Sequence, residues 1–132
     1  VQTALTAALA SLWDREKRLV RIYAPPFLPE ERAPGYVSTY GPGFRENGGQ
    51  YTHAAVWLAL ALHRAGRREE AAALAEDMAL SLTAPEYGAE PFVLPADIAY
   101  VPGKEGRAGW SWYTGAAGGY LRLLRELYGT EP

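Results

Sequence analysis

Two segments rich in proline, glycine and aromatic residues, 25–51 and 83–113, alternate along this chain with runs of helical periodicity. Segment 25–51 alone holds five of the ten prolines and five glycines. Irregular loops of about 25–30 residues are uncommon in compact domains and are usually either functional or disordered. Disordered segments are poor in aromatic residues, which both segments contain. The sequence therefore predicts a mainly α-helical fold with long, ordered loops.

The periodic runs predict four helices. The first covers residues 3–14, and the second begins at the potential cap Thr52 and ends at Gly66. The third, Arg67–Leu82, follows at once, so these two should form an antiparallel hairpin. The apolar face of a last helix, from about Thr114 to Leu127, is predicted to consist of Ala117, Tyr120, Leu121, Leu124 and Leu127. Short strands are expected at 19–23, 91–95 and 97–101.

Composition excludes several classes of function. The chain has 132 residues, which predicts that 1–132 form a single unit. Its net charge is −2 and its 13 Lys and Arg are scattered, so no nucleic-acid partner is expected. No apolar run approaches the roughly 20 residues that span a bilayer, so no membrane contact is expected from this segment.

Cofactor chemistry is not indicated either. With two histidines and no cysteine, the chain has no credible metal site, and it has no nucleotide-binding glycine motif. The absence of cysteine suits a reducing compartment, so a cytoplasmic location is expected. The chain starts within a helical pattern, without Met or a leader, which suggests a piece of a longer polypeptide.

The end of the first loop concentrates polar groups at a helix start. Arg45, Glu46, Asn47 and Gln50 lie within eight residues of His53, and we expect these four side chains to contact a sugar substrate. Unpaired backbone N–H groups and the positive end of the helix dipole favour an anion at such a position. A single histidine is more often a packed or surface residue, and that alternative stays open here.

The second loop ends in the same way. Thr114 and Gly115 form the first turn of the predicted helix, and Gly118 and Gly119 leave its backbone accessible. A phosphate or sulfate fits such a turn. The alternative is that Thr114 is an ordinary cap and that the glycines only allow close helix packing.

Both loops are aromatic. Pyranose rings commonly lie on aromatic faces while carboxylates and amides bind their hydroxyl groups. Glu90 and Asp97 are positioned either to bind a sugar or to brace Arg45 or Arg107. The alternative is a small core that only covers a helix end. The aromatic residues that we expect to contact a sugar are Tyr51, Trp112 and Tyr113.

Five ordered motifs together resemble the C-terminal part of glycoside hydrolase family 94, which comprises inverting β-glucoside phosphorylases and the matching domain of cyclic β-1,2-glucan synthases. The resemblance covers nearly the whole chain, and the segment Gln50–Trp57 looks closer to the cyclic β-1,2-glucan synthase and β-1,2-oligoglucan phosphorylase branch than to cellobiose phosphorylases. The motifs are PPF at Pro25–Phe27, PGY at Pro34–Tyr36, GPGFRENGGQYTHAAVW at Gly41–Trp57, EPFV at Glu90–Val93 and GWSWYTGAAG at Gly109–Gly118.

The resemblance implies the last helices of an (α/α)6 barrel and the loops at one mouth of it. It places the phosphate-binding histidine of the family on His53 and its Thr-Gly phosphate pair on Thr114 and Gly115. Arg45 and Glu46 match the pair that lines the acceptor sugar site. The implied partners are a β-glucan oligosaccharide, inorganic phosphate as co-substrate, and the remainder of the catalytic domain.

The catalytic acid of the family has no counterpart in this chain. Family members place it in a Trp-Asn-Asp-Gly type motif upstream, and Asp14, Asp77 and Asp97 have different surroundings. The chain alone is therefore expected to be inactive. Its exposed apolar helix faces should make it sticky or oligomeric. Two other hypotheses are a non-catalytic carbohydrate-binding helical module and a helical interaction domain whose loops bind nothing.

Overall fold

Four α-helices and five two-residue strands make up the regular structure of the computed structural model, which describes residues 1–29, 35–112 and 114–129. The fold is mainly α-helical with a few short strands, as predicted. No helix among these residues is long and apolar enough to cross a membrane. In chain order the elements are α1 (Gln2–Leu12), β1 (Trp13–Asp14), β2 (Leu19–Val20), β3 (Gln50–Tyr51), α2 (Thr52–Arg64), α3 (Arg68–Thr83), β4 (Asp97–Ile98), β5 (Ala108–Gly109) and α4 (Thr114–Tyr128), with 3-10 turns at Gly35–Thr39 and Pro85–Tyr87.

Helices α2 and α3 form the predicted antiparallel hairpin. The turn between them requires a glycine, because Gly66 has a φ of 83°, a conformation that other residues rarely adopt. The N–H of Arg67 then reaches back across the turn to the carbonyl of Leu62 at 2.9 Å. This bond satisfies one of the carbonyls that the end of a helix otherwise leaves unpaired.

Helix α4 covers the hairpin and completes the main core. Tyr120 donates a hydrogen bond to the carbonyl of Ala75 on α3 at 2.8 Å, and Arg64 of α2 pairs with Glu126 at 2.7 Å. The largest fully buried apolar side chains of the three helices are Val56, Leu62, Leu74, Met78, Leu123 and Leu127.

The buried face of α4 differs in part from the predicted one. Tyr120 and Leu127 are buried as predicted, and Leu124 is partly buried. Ala117 and Leu121 are exposed, whereas Ala116 and Leu123 have no exposed surface. The helix is turned because Gly119, which has no side chain, approaches Val56 of α2 closely. The sequence pattern contains both faces and does not indicate which one packs.

The N-terminal helix ends two residues earlier than predicted. Trp13 and Asp14 form strand β1, which pairs antiparallel with Leu19–Val20, so β2 is also shorter than the predicted strand 19–23. Asp77 of α3 fixes this hairpin, because its carboxylate accepts hydrogen bonds from the indole of Trp13 at 2.9 Å and from Arg18 at 2.6 Å.

A second sheet gathers three distant segments in the order β3-β4-β5. The predicted strand 97–101 is confirmed only at Asp97–Ile98, which is the central strand. The predicted strand 91–95 is wrong, since residues 91 and 92 form a turn in which Phe92 has a φ of 63°. This sheet connects the two aromatic loops directly to the start of α2.

Candidate functional site

The loop before α2 is organised around the side chain of Asn47. Its Oδ1 accepts hydrogen bonds from the Tyr23 hydroxyl and the Phe27 N–H, both at 2.8 Å. Its Nδ2 donates to the carbonyls of Phe27 at 3.1 Å and Tyr40 at 2.7 Å. A carboxamide makes at most about four such bonds, and Asn47 is 1% exposed. The prediction of Asn47 as a sugar contact is corrected: the residue holds the loop together.

Gln50 also bonds within the chain. It is 2% exposed, lies in β3 opposite Ile98, and accepts a hydrogen bond from the N–H of Val20 at 2.9 Å. The side chain thereby links the central sheet to the N-terminal hairpin. Its Oε1 is thus engaged within the chain, and a sugar contact by Gln50 stays a prediction.

Gly43 allows the same loop to fold tightly against the segment that follows β4. It has a φ of 83°, and a β-carbon at this position would lie 2.1 Å from the carbonyl oxygen of Tyr100. The N–H of Tyr100 donates a hydrogen bond to the carbonyl of Gly43 at 2.8 Å. This contact holds Arg45, two residues further on, beside the sheet with a φ of 46°.

Arg45 and Trp110 stack on each other across the two loops. The guanidinium carbon lies 3.8 Å from the centre of the indole ring and 5.4 Å from the centre of the Tyr40 ring. Trp110 has a φ of 45° and its side chain is 61% exposed. A guanidinium over an aromatic face is an attractive arrangement. The stack connects the two loops that the sequence singles out.

A cleft of about 360 Å³, which we call the Arg45 cleft, opens beside this stack. A smaller cleft of about 90 Å³ adjoins it and is lined by Glu46 and Tyr51 in addition to Trp110. Both clefts share Tyr40, Arg45 and Asp97. The structure therefore brings together three of the predicted sugar contacts, Arg45, Glu46 and Tyr51.

Asp97 lies at the centre of the sheet and faces both clefts. It pairs with Tyr51 on one side and Gly109 on the other, and the residue is 6% exposed. Burial raises the pKa of the Asp97 carboxyl above its usual value; the positive charge of Arg45 opposes the rise and the negative charge of Glu46 adds to it. Sequence reasoning left the role of Asp97 open because nothing in its spacing indicates this burial.

His53 occupies the second position of α2, where the sequence predicts an anion contact. Its ring lies edge-on to that of Trp57, with 5.1 Å between the ring centres. On α4, a β-carbon at Gly119 would lie 3.8 Å from Nε2 of His53. The predicted cap Thr52 is the first helical residue instead, because its N–H bonds the carbonyl of Ala96 at 2.9 Å. The hydroxyl of Thr52 is buried without a partner among the described residues.

Helices α2 and α4 run in the same direction. Gly119 lies beside His53 and Val56 near the start of α2, and Glu126 pairs with Arg64 at its end. The positive ends of both helix dipoles therefore point towards the same end of the molecule. Thr114 begins α4 and Gly115 is exposed in its first turn.

Two predicted aromatic contacts are not part of the clefts. Trp112 is 78% exposed, and it does not line either cleft. Tyr113 lies outside the described residues, as does the side chain of Thr114. No group of three or more His, Asp and Glu side chains that could hold a metal occurs in the described part of the chain.

Comparisons with known proteins identify the family of this chain. A family model described as the catalytic domain of the glycosyl hydrolase 94 superfamily matches residues 2–128. The chain is 46% identical over 125 residues to a cyclic beta-(1,2)-glucan synthase, NdvB, from Rhizobium meliloti (strain 1021). That alignment covers 90% of this chain and 4% of the relative, so the chain spans a small part of the curated protein it matches. This chain belongs to the glycosyl hydrolase 94 superfamily, within its catalytic domain.

Proposed function

We propose that this chain is the C-terminal part of an inverting glycoside phosphorylase domain that cleaves β-glucans with inorganic phosphate. The relative's name supports β-1,2-linked glucan as the substrate. The chain would supply phosphate and sugar contacts, and helices outside it would complete an (α/α)6 barrel. In the reaction, a phosphate oxygen attacks the anomeric carbon while the glycosidic oxygen leaves with a proton from a carboxylic acid.

We assign phosphate to the end of the molecule where α2 and α4 begin. The carrying observation is the parallel direction of these helices, with His53 beside Gly119. Two helix N-termini directed to one place attract an anion, and the imidazole adds a hydrogen-bond donor. The proposed phosphate contacts are His53, Thr114 and Gly115.

We assign the sugar to the clefts beside Arg45. Arg45 and Glu46 supply charged hydrogen-bonding groups, while Tyr51 supplies an aromatic ring and a hydroxyl. Trp112 and Tyr113 stand in the sequence between β5 and α4, and we propose them as contacts of a saccharide that extends beyond the clefts. The acid that protonates the leaving oxygen is proposed to come from the part of the domain that precedes this chain.

The test uses the complete protein with β-1,2-glucooligosaccharides and inorganic phosphate. We expect glucose 1-phosphate to accumulate, and we expect His53→Ala to raise KM for phosphate much more than KM for the glucan. Trp57→Phe is a matched control, because it keeps an aromatic ring beside position 53. The chain 1–132 alone should release no glucose 1-phosphate.

Other outcomes separate the alternatives. Binding of the glucan without any influence of phosphate, together with no glucose 1-phosphate, would support a non-catalytic carbohydrate-binding module. Equal loss of phosphate and glucan affinity in His53→Ala would contradict the assignment of His53. A complete protein that binds neither ligand at millimolar concentration would favour an interaction domain.

A further inference from the structure

We propose that Asp97 is a direct sugar ligand, and that its carboxylate binds a hydroxyl group of a glucosyl unit seated in the Arg45 cleft. The inference rests on the proposed function for the identity of the sugar. It assigns a role to a residue that sequence reasoning left open between sugar binding and bracing of an arginine.

The carboxylate of Asp97 has no hydrogen-bond partner within residues 1–29, 35–112 and 114–129; the residue is only 6% exposed, and the exposure that its oxygens retain is towards the clefts. Buried polar groups are nearly always hydrogen-bonded, and an unpaired one is destabilising. A brace for Arg45 or Arg107 would show an ion pair, and none joins Asp97 to either residue in this part of the chain. The free oxygens are therefore left for a ligand.

The position of Asp97 directs those oxygens into the cleft. It lies on the central strand, and its neighbour across β5 is Gly109, whose absent side chain leaves room for the carboxylate. A β-carbon at Gly109 would lie 2.9 Å from Oδ1 and 3.0 Å from Oδ2 of Asp97. Glycine at this position thus keeps the carboxylate in place and accessible.

The chemistry of the cleft favours a neutral, polyhydroxylated ring. Arg45 and Arg107 line the cleft together with Asp97, so its charged groups can both donate hydrogen bonds to a hydroxylated ring and accept them from it, and the described residues hold no metal-binding group. Arg45 balances the carboxylate, while the rings of Tyr40 and Phe44 line the wall with apolar surface. Aromatic walls with a few polar groups are typical of carbohydrate pockets, and about 360 Å³ lies within the usual range for small ligands.

The experiment measures sophorose and β-1,2-glucotriose binding to the complete protein by calorimetry, without phosphate, and the KM for phosphate separately. We expect Asp97→Asn to weaken saccharide binding about 10- to 100-fold, as for loss of a hydrogen bond to a charged group. The KM for phosphate should change by less than about twofold. Gly109→Ala should weaken saccharide binding in the same direction, because its methyl group displaces the carboxylate.

Glu86→Gln is the matched control, since Glu86 is exposed and lies in the 3-10 turn away from the cleft. Unchanged saccharide affinity in Asp97→Asn, or in Gly109→Ala if the first variant does not fold, would overturn the proposal. Equal loss of phosphate and saccharide affinity would also overturn it, as would absence of saccharide binding by the unaltered protein. Saccharide binding that depends on Asp97 without phosphorolysis would support this inference while refuting the proposed phosphorylase activity.

Discussion

The guanidinium carbon of Arg45 lies 3.8 Å from the centre of the Trp110 ring, and both residues have a left-handed backbone conformation. Left-handed conformations are uncommon for residues other than glycine and are maintained by surrounding contacts. Here Gly43 and the sheet hold Arg45, and strand β5 leads directly into Trp110. The stack is therefore the contact that ties the first loop to the second.

Arg45→Lys should loosen this connection. Lysine keeps the charge but loses the planar group that covers the indole, so we expect the free energy of unfolding to fall by about 0.5–1 kcal/mol. Urea denaturation of the chain measures the change. Arg125→Lys on the exposed face of α4 is the control and should have no effect. An equal loss in both variants would contradict a specific role for the stack.

Asn47→Ala should be far more damaging. It removes the hydrogen bonds that the amide makes to backbone groups of Phe27 and Tyr40, so we expect a loss of about 2–4 kcal/mol in unfolding free energy. Asn47→Asp has nearly the same shape but replaces two donors by an acceptor, and it should also be destabilising at neutral pH. If the free energy of unfolding of either variant lies within about 0.5 kcal/mol of that of the unaltered chain, the amide does not organise the loop.

Two adjacent glycines of α4 should respond oppositely to alanine. A β-carbon at Gly118 meets no atom within 4 Å, so Gly118→Ala should stabilise the helix by about 0.5–1 kcal/mol. At Gly119 the same atom lies 3.2 Å from Cγ1 of Val56 and close to His53, so crowding should cancel or reverse the gain. Thermal unfolding of the two variants tests this, and an equal gain at both positions would show that α4 does not pack closely on α2.

Glu126 should make stability depend on pH in strongly acidic solution. Hydrogen bonds from Arg64 and Arg122 lower its pKa from 4.5 to about 2. A carboxylate whose pKa is lowered by folding stabilises the fold above its unfolded pKa, and this contribution is lost as pH falls through about 2.

Glu126→Gln should remove the pH dependence of stability that Glu126 causes between its usual pKa of 4.5 and its lowered pKa of about 2. Because the pair is near the surface, we expect a loss of at most about 1 kcal/mol at neutral pH. Denaturation midpoints at a series of pH values measure it, with the exposed Glu16→Gln as control. A pH profile that stays parallel to that of the unaltered chain would rule out this role for Glu126.

The helices were predictable because their signals are local. Thr52, Gly66 and the Ala-rich run after it mark the α2–α3 hairpin within a few residues. The buried face of α4 could not be predicted from the sequence. Leu121 and Leu123 are equally apolar, and only the contact of α4 with Val56 decides which of them is buried. The strands of the sheet β3-β4-β5 were poorly located for the same reason: each has two residues, and pairing with distant segments defines it.

The sequence predicts which segments form the site, but it does not predict which side chains face the ligand. The position of His53 at a helix start could be predicted, and so could the grouping of Arg45 with aromatic residues. Polar residue type did not distinguish Asn47, which holds the loop from inside, from Asp97, which faces the cleft. That distinction depends on which carbonyls and N–H groups come within reach after folding.

The sheet β3-β4-β5 has a consequence for the order of folding. Its strands flank the α2–α3 hairpin, so they can pair only after the long intervening segment has brought its ends together. Helical hairpins depend on local contacts and form earlier than such non-local pairings. The clefts should thus assemble late and open more readily than the helices, and amide hydrogens at Tyr51 and Asp97 should exchange faster than those of α3 until a saccharide slows them.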